Sequence, residues 1–436
     1  MTAGLGFQGG VVGLGEETEW GTKVAVTKFI ALNSDGLGKD IDRPHSGCIP
    51  AIYQDDSEYI NGDIVCSGNL GFEMRFEGME VLLKHAMGSV SSAETASFII
   101  TLNTNDYIDF IEEAGSELSA QLTAGTYVLG ASSAVAGSLC ALIKTQMEAV
   151  GDGTYTVTHN TATHILTIAV GGAKATFKML GSTGTNTAKS ALVTLGYANT
   201  LQTLAASQVA GTAVIPVYTH TFTLADALPT GLSMEIDRDV TAFTYEGCKI
   251  NTLGLSIDPA GYLMADIGVV AEDETMAAAT SQTLPTVELI NFTHGALSYA
   301  EASASITKAA FTLNNNIKTD RRFIGSRLIS QPQRSGKIEV TGNFTIEFES
   351  TDAYADFIAA TSRALVLTFT SATLIKTGHY RTLTITFPII KLTGTTPKVN
   401  DKGIIYLECP FKAYATDSST REFNITLKNT VVSVSA

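Results

Sequence analysis

The stretch "SGNLGFEMRFEGMEVLLKHAMG", residues 67–88, changes its hydrophobic period midway. Leu70, Phe72, Met74 and Phe76 fall on every second position, and Met79, Leu82, Leu83 and Ala86 follow at helical spacing. That pattern predicts a strand running straight into a short helix. It returns at residues 341–362 as "TGNFTIEFESTDAYADFIAATS", where Gly342, Asn343, Glu347 and Ala360 fall where Gly68, Asn69, Glu73 and Ala86 stand in the first copy.

Most of the remaining chain alternates as half-buried strands do. Strands are expected at 220–224, 232–237, 242–247, 250–258, 309–316, 337–350, 365–370, 382–388 and 403–415. Turns are expected at "DPAG" (258–261) and "NDKG" (400–403). Helices are expected over about 78–88, 134–149, 185–196 and 351–362. Two further blocks repeat in the same order: 27–37 against 307–317, and 248–273 against 388–415. The pattern predicts a mainly β chain of two tandem units, each with a short flanking helix.

The copies differ in one interval. In the second, the helix meets the next strand within a few residues. In the first, residues 97–215 intervene, with their own strands, a hairpin around 153–170 and an amphipathic helix presenting Leu139, Leu142, Ile143, Met147 and Val150. Such a length suits an independent small α+β domain inserted at a loop. The expected division is 1–96 and 216–285 for the first unit, 97–215 for the insert, and 286–436 for the second unit.

Charge narrows the partners. Only 16% of the 436 residues are charged, and the formal net charge is −15. Gripping nucleic acid needs Lys and Arg at the phosphates, whereas a like-charged wall lets DNA pass without sticking. Five scattered cysteines with no C-x-x-C read as free thiols of a reducing compartment. The N-terminal stretch lacks the pattern of a secretory signal, and no apolar run has the ~18 residues of a membrane span. Folding in a cytoplasm is therefore expected.

Candidate chemistry fails its context tests. "GLGFQG" (4–9) has neither a strand before it nor a helix after it, so a flexible N-terminal arm is the expected reading. "GTNTAKS" (184–190) lacks the spacing of a phosphate loop and reads as a turn capping a following helix. His159 and His164 flank a hairpin turn without carboxylate or thiol neighbours, and are expected to be exposed. The acidic run 105–117 lacks calcium-loop spacing and reads as a solvated face. His85 is expected on a helix surface or interface. No nucleophile or acid–base constellation is visible, so no enzyme, metal or cofactor is expected.

The runs "GEETEWGTKVAVTKFIALNSDGL", "SGNLGFEMRFEGMEVLLKHAMG", "YTHTFTLADALPTGLSMEIDRDVTAFTYEGCKIN" and "VTGNFTIEFESTDAYADFIA" resemble the tail tube proteins of phages with long, non-contractile tails. The resemblance covers roughly 1–95 and 216–436 and leaves the insert out. It implies β-sandwich units whose inner sheets close a continuous β-barrel. It further implies rings stacked into a tube that holds a tape-measure protein and then conducts DNA, with tail tip and terminator proteins at its ends. A single-unit protein would need six copies per ring; the duplicated type implies a trimer acting as a pseudo-hexamer. The expected location is the virion tail, assembled in the host cytoplasm, with no membrane contact and no specific DNA binding.

Within that reading, the long polar loops at about 38–62 and 318–336 and the arm 1–26 are expected to reach a neighbouring ring. They carry Arg43, Asp55, Asp56, Arg321, Arg322 and Arg327 as candidate inter-ring charge pairs. A net-negative lumen and an outward-projecting insert are expected too. The competing readings are another β-rich virion protein, such as a decoration or capsid-associated one, and a carbohydrate-binding surface protein. The first lacks the expected spine helix, and the second the exposed aromatic clusters, since Trp20 is the single tryptophan.

Overall fold

The computed structural model describes residues 10–45, 60–303, 305–399, 402–416 and 421–435. It is 48% strand and 8% helix, and the mainly β reading holds. The first half contains β1 (Val11–Glu16), β2 (Lys28–Ala31), β3 (Ser34–Asp35), β4 (Gly38–Ile41), β5 (Ile64–Glu73), α1 (Glu80–Met87) and β6 (Gly88–Thr95). The insert adds β7 (Phe98–Ile100), β8 (Tyr107–Glu112), β9 (Glu117–Gln121), β10 (Gly125–Tyr127), α2 (Leu139–Glu148), β11 (Gly153–His159), β12 (Leu166–Gly172), β13 (Phe177–Met179) and β14 (Ser207–Val209). The chain returns through β15 (Val217–Leu224), β16 (Leu232–Asp237), β17 (Ala242–Ile257), β18 (Met264–Ala271) and β19 (Asp273–Ala277). The second half holds β20 (Gly295–Tyr299), β21 (Ala302–Ser303), β22 (Ile306–Asn314), β23 (Glu339–Glu347), α3 (Asp352–Ala359), β24 (Arg363–Lys376), β25 (His379–Leu392), β26 (Tyr406–Ala413) and β27 (Asn424–Asn429).

Leu70, Phe72, Met74 and Phe76 all enter the core, as do Met79, Leu82, Leu83 and Ala86. The switch from period two to helical period is therefore a strand handing its buried face to a helix. Gly88 ends α1 at φ 102°, with its N–H on the Lys84 carbonyl, a conformation that glycine adopts without strain. Truncating Phe72 or Phe76, both fully buried, removes an aromatic worth about 3–5 kcal/mol.

The strands at 242–247 and 250–258, expected as two, are one continuous β17. Gly247 at φ 65° lies where the pairing register of β17 with β16 shifts, so the chain bends without breaking. The first part of β17 pairs with β16 and β19, and the part from Lys249 onward with β18 and β22. In the second half, β25 does the same: His379–Phe387 pairs within the set β24, β25 and β27, and Ile390–Leu392 with β26.

The registers agree residue by residue. Gly68 lies opposite Val269 in β5–β18, and Gly342 opposite Phe411 in β23–β26. Shifting β4–β5 by 274 residues carries Gly38–Ser67 onto the observed pair Thr312–Thr341. This places 34–40 in the position of 308–314, six residues away from the expected match of 27–37 with 307–317. The hydrophobic pattern there is too short to fix an alignment that backbone pairing fixes directly.

One core cluster runs through both halves and includes Leu14, Phe72, Leu83, Phe311 and Phe387. The insert packs its own cluster around Phe110, Tyr155 and Phe177, whose rings meet edge to face. The β6–β15 hairpin carries it and pairs onward with β27.

Four local expectations change. Residues 185–196 hold only a 3-10 turn, Thr187–Lys189, because Asn186 and Ala191 are drawn to Asp109 and the Tyr107 carbonyl. The acidic run is not a solvated face: Asp106, Asp109 and Glu112 are buried. Glu112 accepts from the N–H groups of Asp152 and Gly153 and from the Tyr155 hydroxyl. His159 is buried, its ring stacked on His164 at 5.5 Å. Residues 11–16, expected in an arm, form the buried strand β1 between β2 and β16; residues 1–9, with all of "GLGFQG", lie outside the described residues.

Candidate assembly surfaces

The loop 318–336 follows β22 and folds back on itself. Lys318 N–H donates to the Gln333 carbonyl, Ser330 N–H to Arg321, and Arg321 Nη1 to Gln331 at 2.9 Å. Gly325 at φ 101° makes the tip, leaving Phe323 and Ile324 exposed.

This loop lies along the first half of the same chain. Arg322 Nη2 donates to the Ile64 carbonyl at 2.9 Å, Arg327 Nε to Gly62 at 2.8 Å, and Ile64 N–H returns to the Arg327 carbonyl at 3.0 Å. Arg322 Nε also lies 3.5 Å from the Asp63 carboxylate, an ion pair without hydrogen-bond geometry. Arg334 donates to the carbonyls of Ala225 and Asp226 and to Asn315 Oδ1. Asn315, fully buried, holds the carbonyls of Ala86 and Ile250. Beneath, Ile317 and Ile329 pack on Val270, with Trp20 and Leu228 at the edge.

Of the six sequence candidates, Arg43 is exposed, and Asp55 and Asp56 lie outside the described residues. Arg321 is spent on its own loop, while Arg322 and Arg327 bind backbone carbonyls within the chain. Arg334 and Asn315 carry as much of this contact and were not singled out; nothing in their sequence neighbourhood marks them.

A second junction involves α1. Glu16 accepts from Lys84 Nζ at 2.6 Å and lies 3.0 Å from His85 Nε2. His85 is therefore buried rather than on the helix surface. Burial pushes the Glu16 carboxyl up, but hydrogen bonds from His85 and Lys84 outweigh it and hold it at about 2. The end of β27 and the tail after it close over the same helix: Asn429 Nδ2 donates to Phe76 O and Glu80 Oε1, and Lys84 Nζ to Val434 O.

Among the described residues no group of His, Cys, Asp or Glu is arranged to hold a metal ion, and no helix is long and apolar enough to cross a membrane. Burial pushes the thiols of Cys66 and Cys140 up to about 12 and that of Cys409 to about 11, so these are packing groups. What the geometry offers is a loop of the second half docked on the first and a buried helix junction.

The model of the phage tail tube protein family matches residues 8–413. The chain belongs to that family. It is a structural component of a phage tail, and its family implies self-assembly into a tube. No curated protein matches the chain significantly.

Proposed function

We propose that this chain is the tube protein of a long, non-contractile phage tail, built as a tandem duplication. Residues 1–96 with 216–285 form one tube unit and 286–436 the other, and 97–215 form an accessory domain. Three copies make a ring that acts as a pseudo-hexamer. Rings stack into the conduit that holds the tape-measure protein and later passes DNA without binding it specifically, bounded by tip and terminator proteins. Assembly takes place in the host cytoplasm.

The observation that carries this reading is the agreement of strand register between the halves, with β5–β18–β17 answering to β23–β26–β25. A heterologous contact repeated around an axis closes a ring when the rotation allows. The net charge of −15 supports a lumen that repels the DNA backbone. Inter-ring contact is assigned to the polar segments expected at 38–62, of which Gly38–Ile41 is the strand β4, and 318–336, with Arg43, Asp55, Asp56 and Arg321 as the charged candidates and Arg322 and Arg327 anchoring the second loop.

Electron microscopy of the purified chain, with mass per unit length from the same fields, tests it. Hollow tubes with three chains per ring are expected. Six chains per ring would overturn the pseudo-hexamer, and a discrete globular oligomer that never stacks would overturn the tube.

A further inference from the structure

Among the strand edges of the main sheet left open in the described residues are one in the first half and one in the second. In the first half, β3 and β4 pair with β5 alone, and Ser34–Gly36, Gly38 and Asp40 are exposed. In the second half, β25 is held by β26 through Ile390–Leu392, and Thr393 N–H still reaches the Pro410 carbonyl. Residues 394–399 then run on with no partner strand, and Val399 is 78% exposed. Unpaired edges of this kind invite a further strand.

The equivalents of these two edges meet inside the chain. Thr252–Ile257 of β17 pairs antiparallel with Ala309–Asn314 of β22, Thr252 opposite Asn314 and Ile257 opposite Ala309. A shift of 142 residues carries the pairs Lys249–Val270 and Ile250–Val269 onto Lys391–Lys412 and Leu392–Phe411. A shift of 274 carries Lys39–Cys66 and Asp40–Val65 onto Leu313–Val340 and Asn314–Glu339. The first shift takes 252–257 to 394–399; the second, reversed, takes 309–314 to 35–40.

We propose that Asp35–Asp40 of one copy pairs antiparallel with Gly394–Val399 of the next, Asp40 opposite Gly394 and Asp35 opposite Val399. This rests on the ring reading above and specifies which residues close the ring and in which register.

An independent detail fits. At the centre of the first edge, the Leu37 carbonyl already accepts from Arg238 Nη2 at 2.6 Å and from the Tyr245 hydroxyl at 3.0 Å. The residue this register sets opposite Leu37 is Pro397, which has no N–H to donate. The occupied acceptor thus faces the position that makes no demand on it. The flanking helices give the same polarity. Seven residues of α1 are buried, with Asn429 at the end of β27 and Val434 in the tail after it bonded against this helix and its approach, whereas α3 buries only Ala353 and Asp356 and leaves Ile358 exposed. The second half has the open face that the first half has covered.

The test is a cysteine pair, Gly38→Cys with Thr396→Cys. A Cβ at Gly38 meets nothing within 4 Å. Gly36 N–H donates to Asn69 O, so the even-numbered residues of this edge turn their backbone groups toward β5. Gly38 and Thr396 therefore face each other as a non-hydrogen-bonded pair with Cα atoms about 4.5 Å apart, within disulfide reach. Oxidised assemblies of the double variant should lose most of the monomer band on a non-reducing gel to a ladder ending at the closed trimer. Each single variant should stay monomeric on the gel. Hydrogen exchange on the unaltered chain is the second readout, with amides of both 35–40 and 394–399 becoming protected on assembly. Tubes that form with neither cross-link nor protection overturn the strand pairing and leave the tube reading standing. A chain that never assembles overturns both.

Discussion

The Arg322 guanidinium and the Ile64 carbonyl, 258 positions apart in sequence, are hydrogen-bonded at 2.9 Å across the junction of the two halves. The bond joins a loop of the second half to the entry of β5, the strand that feeds α1. Replacing Arg322 with Ala leaves a half-buried carbonyl without its charged donor. A stability loss of about 1–2 kcal/mol is expected in urea unfolding. The same variant should be cut faster by protease within 318–336, and Arg43→Ala, which alters an exposed residue, should not.

Acid should weaken the α1 junction, with a definite sign. The Glu16 carboxyl is held at about 2 in the fold, whereas an unfolded glutamate titrates near ~4.3. Its contribution is complete above that unfolded value and is lost as pH falls toward 2. The His85 imidazole is lowered by burial, against the opposing pull of Glu16. Its contribution is complete above ~6.5 and is lost as pH falls through its lowered folded value. Stability of the unassembled chain should therefore fall on acidification. Glu16→Gln should flatten the lowest part of the curve and cost about 1–2 kcal/mol at neutral pH, after discounting for solvent screening.

The paired glycines should behave alike. A Cβ on Gly68 would strike the carbonyl of Gly36, and one on Gly342 would lie 2.6 Å from the carbonyl of Ala310, the residue in the corresponding place. Neither backbone can yield without moving a strand. Gly68→Ala and Gly342→Ala should each destabilise by about 1–3 kcal/mol, read as a lower denaturant midpoint. An unchanged midpoint in both would show that the close strand approach is not required.

Removing the insert should leave the rest folded. Its core is separate, and Thr95 sits opposite Val217 at the base of the carrying hairpin. Two side chains outside 97–215 hold it: Glu94 accepts from Leu129 and Gly130 N–H, and Lys376 lies over the Phe98 ring at 2.8 Å. Both are left facing water when the insert is gone. Replacement of 97–215 by a short Gly-Ser turn should keep the unfolding midpoint of the remainder and give tubes narrower in outer diameter with an unchanged lumen. A widened or blocked lumen would place the insert inward.

The strand-to-helix motif was legible because Leu70 through Ala86 write two periods in sequence, each fixed by burial on one face. The family was legible in the same stretch and in "FTYEGCKIN". The loop anchors were not. Arg322 and Arg327 stand out as charges, and charge suggests a carboxylate partner, but apart from the Asp63 carboxylate 3.5 Å from Arg322, the hydrogen-bond acceptors are backbone carbonyls that no sequence displays. His85, Asp109 and Glu112 misled for a related reason. A polar residue looks like surface until tertiary structure supplies its partner, here Glu16, Asn186 and the turn at Asp152–Gly153.

Trp20 donates its indole N–H to Gly247 O at 2.9 Å and packs at the edge of the cluster formed by Ile317, Ile329 and Val270. It is the single tryptophan of the chain, and it sits where the second half's loop rests on the first. The molecule therefore carries its own optical gauge of that seam. Emission excited at the indole reports one place, so a red shift during gentle denaturation would time the parting of the loop separately from the melting of the sheets.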